Sequence, residues 1–221
     1  MSDAAVLIQA VRDGDAAIVE KFLAAQPDLA SAKNEAGLSA FMAAVYSGRT
    51  EIRDLLLARG IVLELHDAAA AGFLVRVKEF VEKDVRLAKS YSPDGFPVFA
   101  LASVLGHKEV VEYLFAKGAD VNAISTNGTG YTALTGAVAS GHQEIVAFLL
   151  RHGADANHRY QGGYTPLLTA AANGHLEILK MLLEHGADLH ARTDDAQTAS
   201  SLAEKRGHDG VVKFLRSRGA P

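Results

Sequence analysis

Nine histidines are the residues of this sequence best suited to bind a metal ion or to transfer protons. Four of them directly follow a glycine, at spacings of 35, 33 and 33 residues: His107, His142, His175 and His208. Side chains repeated at that interval lie about one structural repeat apart, which is too far to share one ion. The other five are scattered singly, and His66 is among them. We interpret all nine as structural, and the sequence predicts neither a metal site nor a catalytic histidine.

Other motifs that could perform chemistry are weak or absent. The sequence contains no HExxH, GxSxG or P-loop pattern. The glycine-rich segment Asn127–Gly130 does not link a strand to the start of a helix, so we interpret it as a lengthened loop rather than a phosphate site. Asp194 and Asp195 are adjacent carboxylates, which do not by themselves form a calcium cage. The prediction is a protein without a cofactor and without enzymatic activity.

Composition excludes several further classes of protein. The chain has 221 residues, a net charge of −4 and no cysteine. Residues 1–91 and 92–221 each carry 11 basic and 13 acidic side chains, so neither half has the positive charge that nucleic acid or an anionic membrane attracts. No apolar run approaches the 18 or so residues of a membrane span, and the N-terminus is not a signal peptide. We expect a cytoplasmic protein.

A regular repeat explains most of the sequence. Seven glycines, each with an alanine four residues before it, mark the repeats at positions 14, 48, 72, 106, 141, 174 and 207. In five repeats a second glycine follows twelve residues after the first. Apolar residues at offsets −7 and −4 share one face of a first helix, and those at offsets 4, 5 and 8 form the stripe of a second. The glycines then end these helices in left-handed conformations.

The sixth repeat carries the family resemblance most clearly. Thr165-Pro166-Leu167, Ala170, Gly174-His175, Leu182-Leu183 and Gly186-Ala187-Asp188 resemble the ankyrin repeat, whose period is about 33 residues. The resemblance covers the whole chain and is strongest over 92–191. The chain is also similar to small bacterial proteins built only of ankyrin repeats. The resemblance implies an all-α solenoid of about seven helix-turn-helix repeats, joined by short hairpin loops that we call fingers.

We expect one domain over 1–221, whose repeats span approximately 1–33, 34–63, 64–91, 92–123, 124–157, 158–191 and 192–221. The first and last repeats are expected to act as caps with a wet outer face.

Two departures from the pattern are expected to alter the solenoid. The step from Gly48 to Gly72 is ten residues short, which predicts that the finger between repeats two and three is missing. Gln26 and Asp84 replace the second glycine in repeats one and three, so the second helix should end differently there. Matches 58 residues apart, such as Phe22 with Phe80, make residues 1–60 and 61–118 look like two copies of one unit.

Function is predicted from the positions that contact partners in the resembled family. These face the concave side formed by fingers and first helices, and here they hold mostly large side chains: Tyr46, Phe96, Val104, Leu105, Tyr131, Arg159, Tyr160 and Tyr164. Tyrosine is typical of interfaces. We predict a monomer that binds a protein partner of unknown identity. The alternatives are that the groove binds a small ligand or acts as an enzyme, that the chain self-associates, or that the tyrosines merely pack finger on finger.

Overall fold

The computed structural model describes residues 2–35 and 37–220, and fourteen α-helices form over this part of the chain. They pair in chain order, an inner helix followed by an outer one. The bounds of the pairs are α1 (Asp3–Asp13) with α2 (Ala16–Ala25), α3 (Ala40–Tyr46) with α4 (Thr50–Ala58), α5 (Leu65–Ala70) with α6 (Leu74–Lys83), α7 (Val98–Val104) with α8 (Lys108–Ala116), α9 (Ala133–Ser140) with α10 (Gln143–Arg151), α11 (Pro166–Ala172) with α12 (Leu176–Glu184), and α13 (Ala199–Lys205) with α14 (Asp209–Ser217).

Each inner helix packs against its own outer helix and against the inner helices before and after it. The seven repeat alanines lie at these inner-helix contacts, and none is more than 8% exposed. A small residue at this position lets neighbouring helices approach closely. The predicted stack of seven helix pairs is therefore confirmed.

Local chemistry ends and begins the helices as the sequence predicted. Gly14 and Gly141 terminate α1 and α9 at φ of 81° and 78°, a left-handed conformation that glycine adopts without a steric penalty. Thr165 caps α11 by accepting a hydrogen bond from the backbone N–H of Leu168. Pro166 follows at the first helical position, where a missing N–H costs nothing.

The replaced glycines produce the same feature twice. Gln26 and Asp84 are the C-cap residues of the outer helices α2 and α6. Each helix is followed by a 3-10 helix, Pro27–Ser31 and Val85–Lys89 respectively. Both 3-10 helices bury an alanine, Ala30 and Ala88. The sequence matches spaced 58 residues apart thus correspond to a repeated structural feature. The expectation that these second helices end differently is confirmed.

Fingers connect most repeats, and one is missing. Single antiparallel bridges close four fingers, Lys33 with Ser39, Tyr91 with Pro97, Tyr160 with Tyr164, and Arg192 with Thr198. Only residues 59–64 separate α4 from α5, whereas 117–132 separate α8 from α9. The predicted loss of a finger and the predicted lengthening at Asn127–Gly130 are both confirmed.

The buried side chains divide at the missing finger. One large cluster runs from Leu65 to Leu215, and a second runs from Leu7 to Leu56. A small third cluster, formed by Met42, Ala70 and Leu101, lies between them. The inner helices continue across this junction, whereas the buried residues divide into separate clusters that share the partly buried Phe73.

Candidate partner-binding surface

A groove on the concave side gathers five of the eight predicted partner-binding residues. Its volume is about 470 Å³, and it lies along α3, α7 and α9. The lining residues are mostly apolar or aromatic: Tyr46, Phe96, Ala100, Leu101, Val104, Leu105, Tyr131, Thr132, Gly136, Ala139 and Ser140. The predicted residues Tyr46, Phe96, Val104, Leu105 and Tyr131, which lie up to 85 positions apart in the chain, thus border one cavity.

The floor of the groove depends on a glycine that the sequence analysis did not select. Gly136 lies inside α9, and a Cβ atom placed there would be 3.0 Å from Cβ of Val104 on α7. The two inner helices therefore approach closely at this point, and no side chain fills the space above them. A glycine inside a helical pattern, where it costs about 1 kcal/mol relative to alanine, was the signal available in the sequence.

Tyr46 closes the end of the groove where the finger is missing. Its hydroxyl donates a hydrogen bond to Oδ2 of Asp94 at 2.9 Å, and the hydroxyl of Ser92 donates to the other oxygen of that carboxylate. Burial, together with the negative charge of Asp94, raises the pKa of Tyr46 far above its usual value. The phenol therefore remains a neutral hydrogen-bond donor, linking α3 directly to the finger of repeat four.

Tyr160 and Tyr164 lie beside the groove, in a row of rings with Tyr131. The ring centroids of Tyr131 and Tyr160 are 5.0 Å apart, and those of Tyr160 and Tyr164 are 6.1 Å apart. Burial raises the pKa of Tyr160 to about 12, and its hydroxyl hydrogen-bonds Thr169 on α11. The three rings thus contact one another, as the finger-packing alternative requires.

Arg159 is engaged by the next finger. Its guanidinium donates to Oδ1 of Asp194 at 3.0 Å and to the backbone carbonyl of Arg192 at 2.9 Å. The side chain is about half exposed, so this contact is screened by water. Asp194, considered above as a weak calcium ligand, is the partner of this arginine.

Three of the four repeat histidines connect consecutive repeats by hydrogen bonds, as the structural interpretation predicted, whereas the ring of His175 lies beside Gly141. Nε2 of His107 donates to the carbonyl of Ala70 at 2.8 Å, and His142 and His208 make the equivalent bonds to Val104 and Ala172 at 3.0 Å. In repeat two Arg49 takes this role, donating to the carbonyl of Arg12 at 3.1 Å. Arg49 does not fit the Gly-His pattern of the sequence, although this position requires only a hydrogen-bond donor.

The histidine of repeat three has different surroundings. His66 Nε2 lies 3.4 Å from a carboxylate oxygen of Glu64 and 3.7 Å from one of Asp67. In the described part of the chain this is where three potential metal ligands come together, although the sequence predicted no metal site. Spacing alone did not reveal it, because the shortened connection places Glu64 at the N-cap of α5.

Two further findings concern class and family. None of the helices described here is long and apolar enough to cross a membrane. Family models for ankyrin repeats match residues 65–160, as three copies, and residues 149–203, as many copies. No curated protein matches the chain significantly. Since the two matches together span more than half of the chain and agree with its stacked helix pairs, the protein belongs to the ankyrin repeat family.

Proposed function

We propose that this chain is a non-catalytic, monomeric binding module of the cytoplasm that holds a protein partner in the concave groove. The supporting observation is the apolar groove itself, bordered by Tyr46, Phe96, Val104, Leu105 and Tyr131. Partly exposed aromatic and branched side chains gathered in one groove offer a partner more contact area than the same residues scattered over a surface. The solenoid already fixes their backbones, so binding orders little chain.

The lining predicts the chemistry of the partner. Thr132 and Ser140 add hydrogen-bonding groups to a mostly apolar wall. The carboxylate of Asp94 already accepts hydrogen bonds from two hydroxyls, those of Tyr46 and Ser92. We therefore expect a partner segment that inserts apolar side chains, with backbone or polar groups bonded at the rim. Tyr160, Tyr164 and Arg159 belong to the edge of this surface, where each keeps an exposed portion.

Catalytic use of the groove has less support. Among the described residues that line it, the ionisable side chains are the phenols of Tyr46 and Tyr131. A raised pKa makes Tyr46 a poor base at neutral pH. A net charge of −4 disfavours nucleic acid as a partner.

The test compares two variants in which a valine is replaced by aspartate, one inside the groove and one outside it. Val104→Asp places a carboxylate in the groove, whereas Val75→Asp places it on the outer helix α6, where Val75 is 73% exposed. A partner captured from lysate with the unmodified chain is identified, purified and titrated against all three proteins. We expect Val104→Asp to weaken binding at least tenfold, on the order of the 2 kcal/mol of a hot spot, and Val75→Asp to leave it unchanged.

Two controls separate the competing functions. Circular dichroism must show the same helical signal for all three proteins, so that loss of binding is not loss of fold. Light scattering over a range of concentrations distinguishes a monomer from a self-associating scaffold. Equal affinity of Val104→Asp and the unmodified chain would refute the proposed surface, and capture of a small molecule in place of a protein would favour the alternative.

A further inference from the structure

The shortened connection between repeats two and three brings three metal-ligating side chains together, away from the groove. Glu64 ends the connection, and His66 and Asp67 begin α5. One ligand atom from each lies within 4.8 Å of the other two. Nε2 of His66 is 3.4 Å from Oε2 of Glu64 and 3.7 Å from Oδ1 of Asp67.

Asp67 supplies the observation that a simple cluster of charges lacks. Its side chain is 8% exposed, and its Oδ1 atom is buried without a hydrogen-bond partner. The other oxygen, Oδ2, accepts a hydrogen bond from the backbone N–H of Glu64 at 2.9 Å, and this contact turns Oδ1 toward His66. A buried carboxylate oxygen with no donor is costly, and a bound cation removes that cost.

Glu64 is held in the same way. Its Oε1 accepts a hydrogen bond from Nζ of Lys33 at 2.9 Å, which leaves Oε2 directed toward the imidazole of His66. In both carboxylates, therefore, a donor fixes one oxygen while the other oxygen faces the same nitrogen. Metal sites use such outer hydrogen bonds to orient their ligands.

We propose that Glu64, His66 and Asp67 bind one zinc ion, with water as the fourth ligand. Zinc bonds of about 2.0–2.2 Å in a tetrahedron separate the ligand atoms by roughly 3.3–3.6 Å, close to the two distances found here. The imidazole nitrogen distinguishes zinc from calcium and magnesium, which favour all-oxygen sites.

The position of the ion gives it a structural consequence. Lys33 belongs to the finger of repeat two, and it reaches the site through Glu64. Asp67 belongs to the inner helix α5, at the junction where the apolar core divides. Zinc would brace the junction that the missing finger leaves without its usual contacts.

In the experiment, the full chain is treated with EDTA, the chelator is removed, and zinc chloride is then titrated into the protein in a calorimeter. We expect one zinc ion per chain. His66→Gln and Glu64→Gln should each weaken zinc binding at least tenfold, because each replaces a zinc ligand by an uncharged amide side chain of similar size. His185→Gln is the matched control, since this histidine lies at the end of α12 and bonds the carbonyl of Met181; its affinity should equal that of the unmodified chain.

The His66 side chain is only 12% exposed, so its variant could fail to fold. Glu64→Gln keeps the proposal falsifiable in that case, because the Glu64 side chain is about half exposed. Cobalt provides a second measurement: the visible absorption of a cobalt-loaded site should appear in the unmodified chain and vanish in Glu64→Gln. Absence of a saturable zinc site would overturn the proposal. Unchanged affinity in Glu64→Gln would overturn it as well.

Discussion

At the scale of single residues, one side-chain type serves two purposes in this chain. His107, His142 and His208 each donate one hydrogen bond to a carbonyl of the preceding repeat, and the ring fills the space above that repeat's glycine. A Cβ added to Gly106, for example, would lie 2.6 Å from the His142 ring. His66 instead faces two carboxylates. Repetition in the sequence identifies the first role, and only the surroundings identify the second.

Acid is expected to destabilise the protein through His107. Burial lowers the pKa of this imidazole, and the nearby positive charges of His142 and Arg53 act in the same direction. The unfolded chain then binds more protons than the folded one near the ordinary histidine pKa of about 6.5, so stability contributed by this group falls as pH falls through that value. We expect the free energy of unfolding of His107→Gln to depend less on pH between 7.5 and 5.5 than that of the unmodified chain.

Urea denaturation at a series of pH values measures this dependence. His190→Gln, which changes a histidine at the base of a finger, serves as the comparison. An identical pH dependence in His107→Gln and the unmodified chain would show that the buried imidazole is not the acid-sensitive group.

At the scale of helices, close contact between inner helices is the feature on which stability depends most. Ala137 and Ala170 are fully buried on α9 and α11, and Gly136 brings α9 against Val104 of α7. Packing this close leaves no room for a larger side chain. The same close approach leaves the groove open above it, so the contact that stabilises the stack also shapes the candidate surface.

Ala137→Leu and Ala170→Leu should therefore destabilise the protein more than His175→Ala. Overpacking costs about 1–3 kcal/mol, whereas loss of one repeat histidine removes a single packing contact at the edge of a repeat. Thermal unfolding followed by circular dichroism compares the three variants. A lower melting temperature for His175→Ala than for Ala170→Leu would reverse the ranking and make the histidines the dominant links between repeats.

At the scale of the whole molecule, the missing finger divides the array. The core clusters of residues 7–56 and 65–215 are joined by the partly buried Phe73, which packs against both, and by the small cluster of Met42, Ala70 and Leu101. Tyr46 and Lys33 reach across the junction by polar contacts, to Asp94 and Glu64. Stability in repeat proteins is approximately a sum of repeat and interface contributions, so a weakened interface localises opening.

Native-state hydrogen exchange should show residues 1–60 opening before residues 97–190. The physical reason is the divided core at the junction, together with the loss of one set of finger contacts there. The zinc proposal sharpens this expectation, because zinc should slow exchange in 1–60 of the unmodified chain and not of Glu64→Gln. Uniform protection along the chain, without zinc, would contradict a weak junction.

The sequence by itself determined the helix pairs, their caps, the missing finger and the echo of repeats one and two in repeats three and four. These follow from local rules: an apolar stripe selects a helix face, a glycine ends a helix, and ten absent residues cannot form a finger. The resemblance to the ankyrin repeat, rather than periodicity alone, assigned Phe96, Val104, Leu105 and Tyr131 to one side of the stack, and these residues border the groove.

Only the tertiary structure decided which distant polar groups meet. Tyr46 bonds Asp94 across 48 residues, Arg159 pairs with Asp194 across 35, and Arg49 replaces a repeat histidine. Each contact depends on how far one repeat is rotated and shifted against the next, a quantity that no local pattern encodes. The convergence of Glu64, His66 and Asp67 was hidden for the same reason. It depends on the shortened connection, which places Glu64 at the N-cap of α5 and brings the three side chains together.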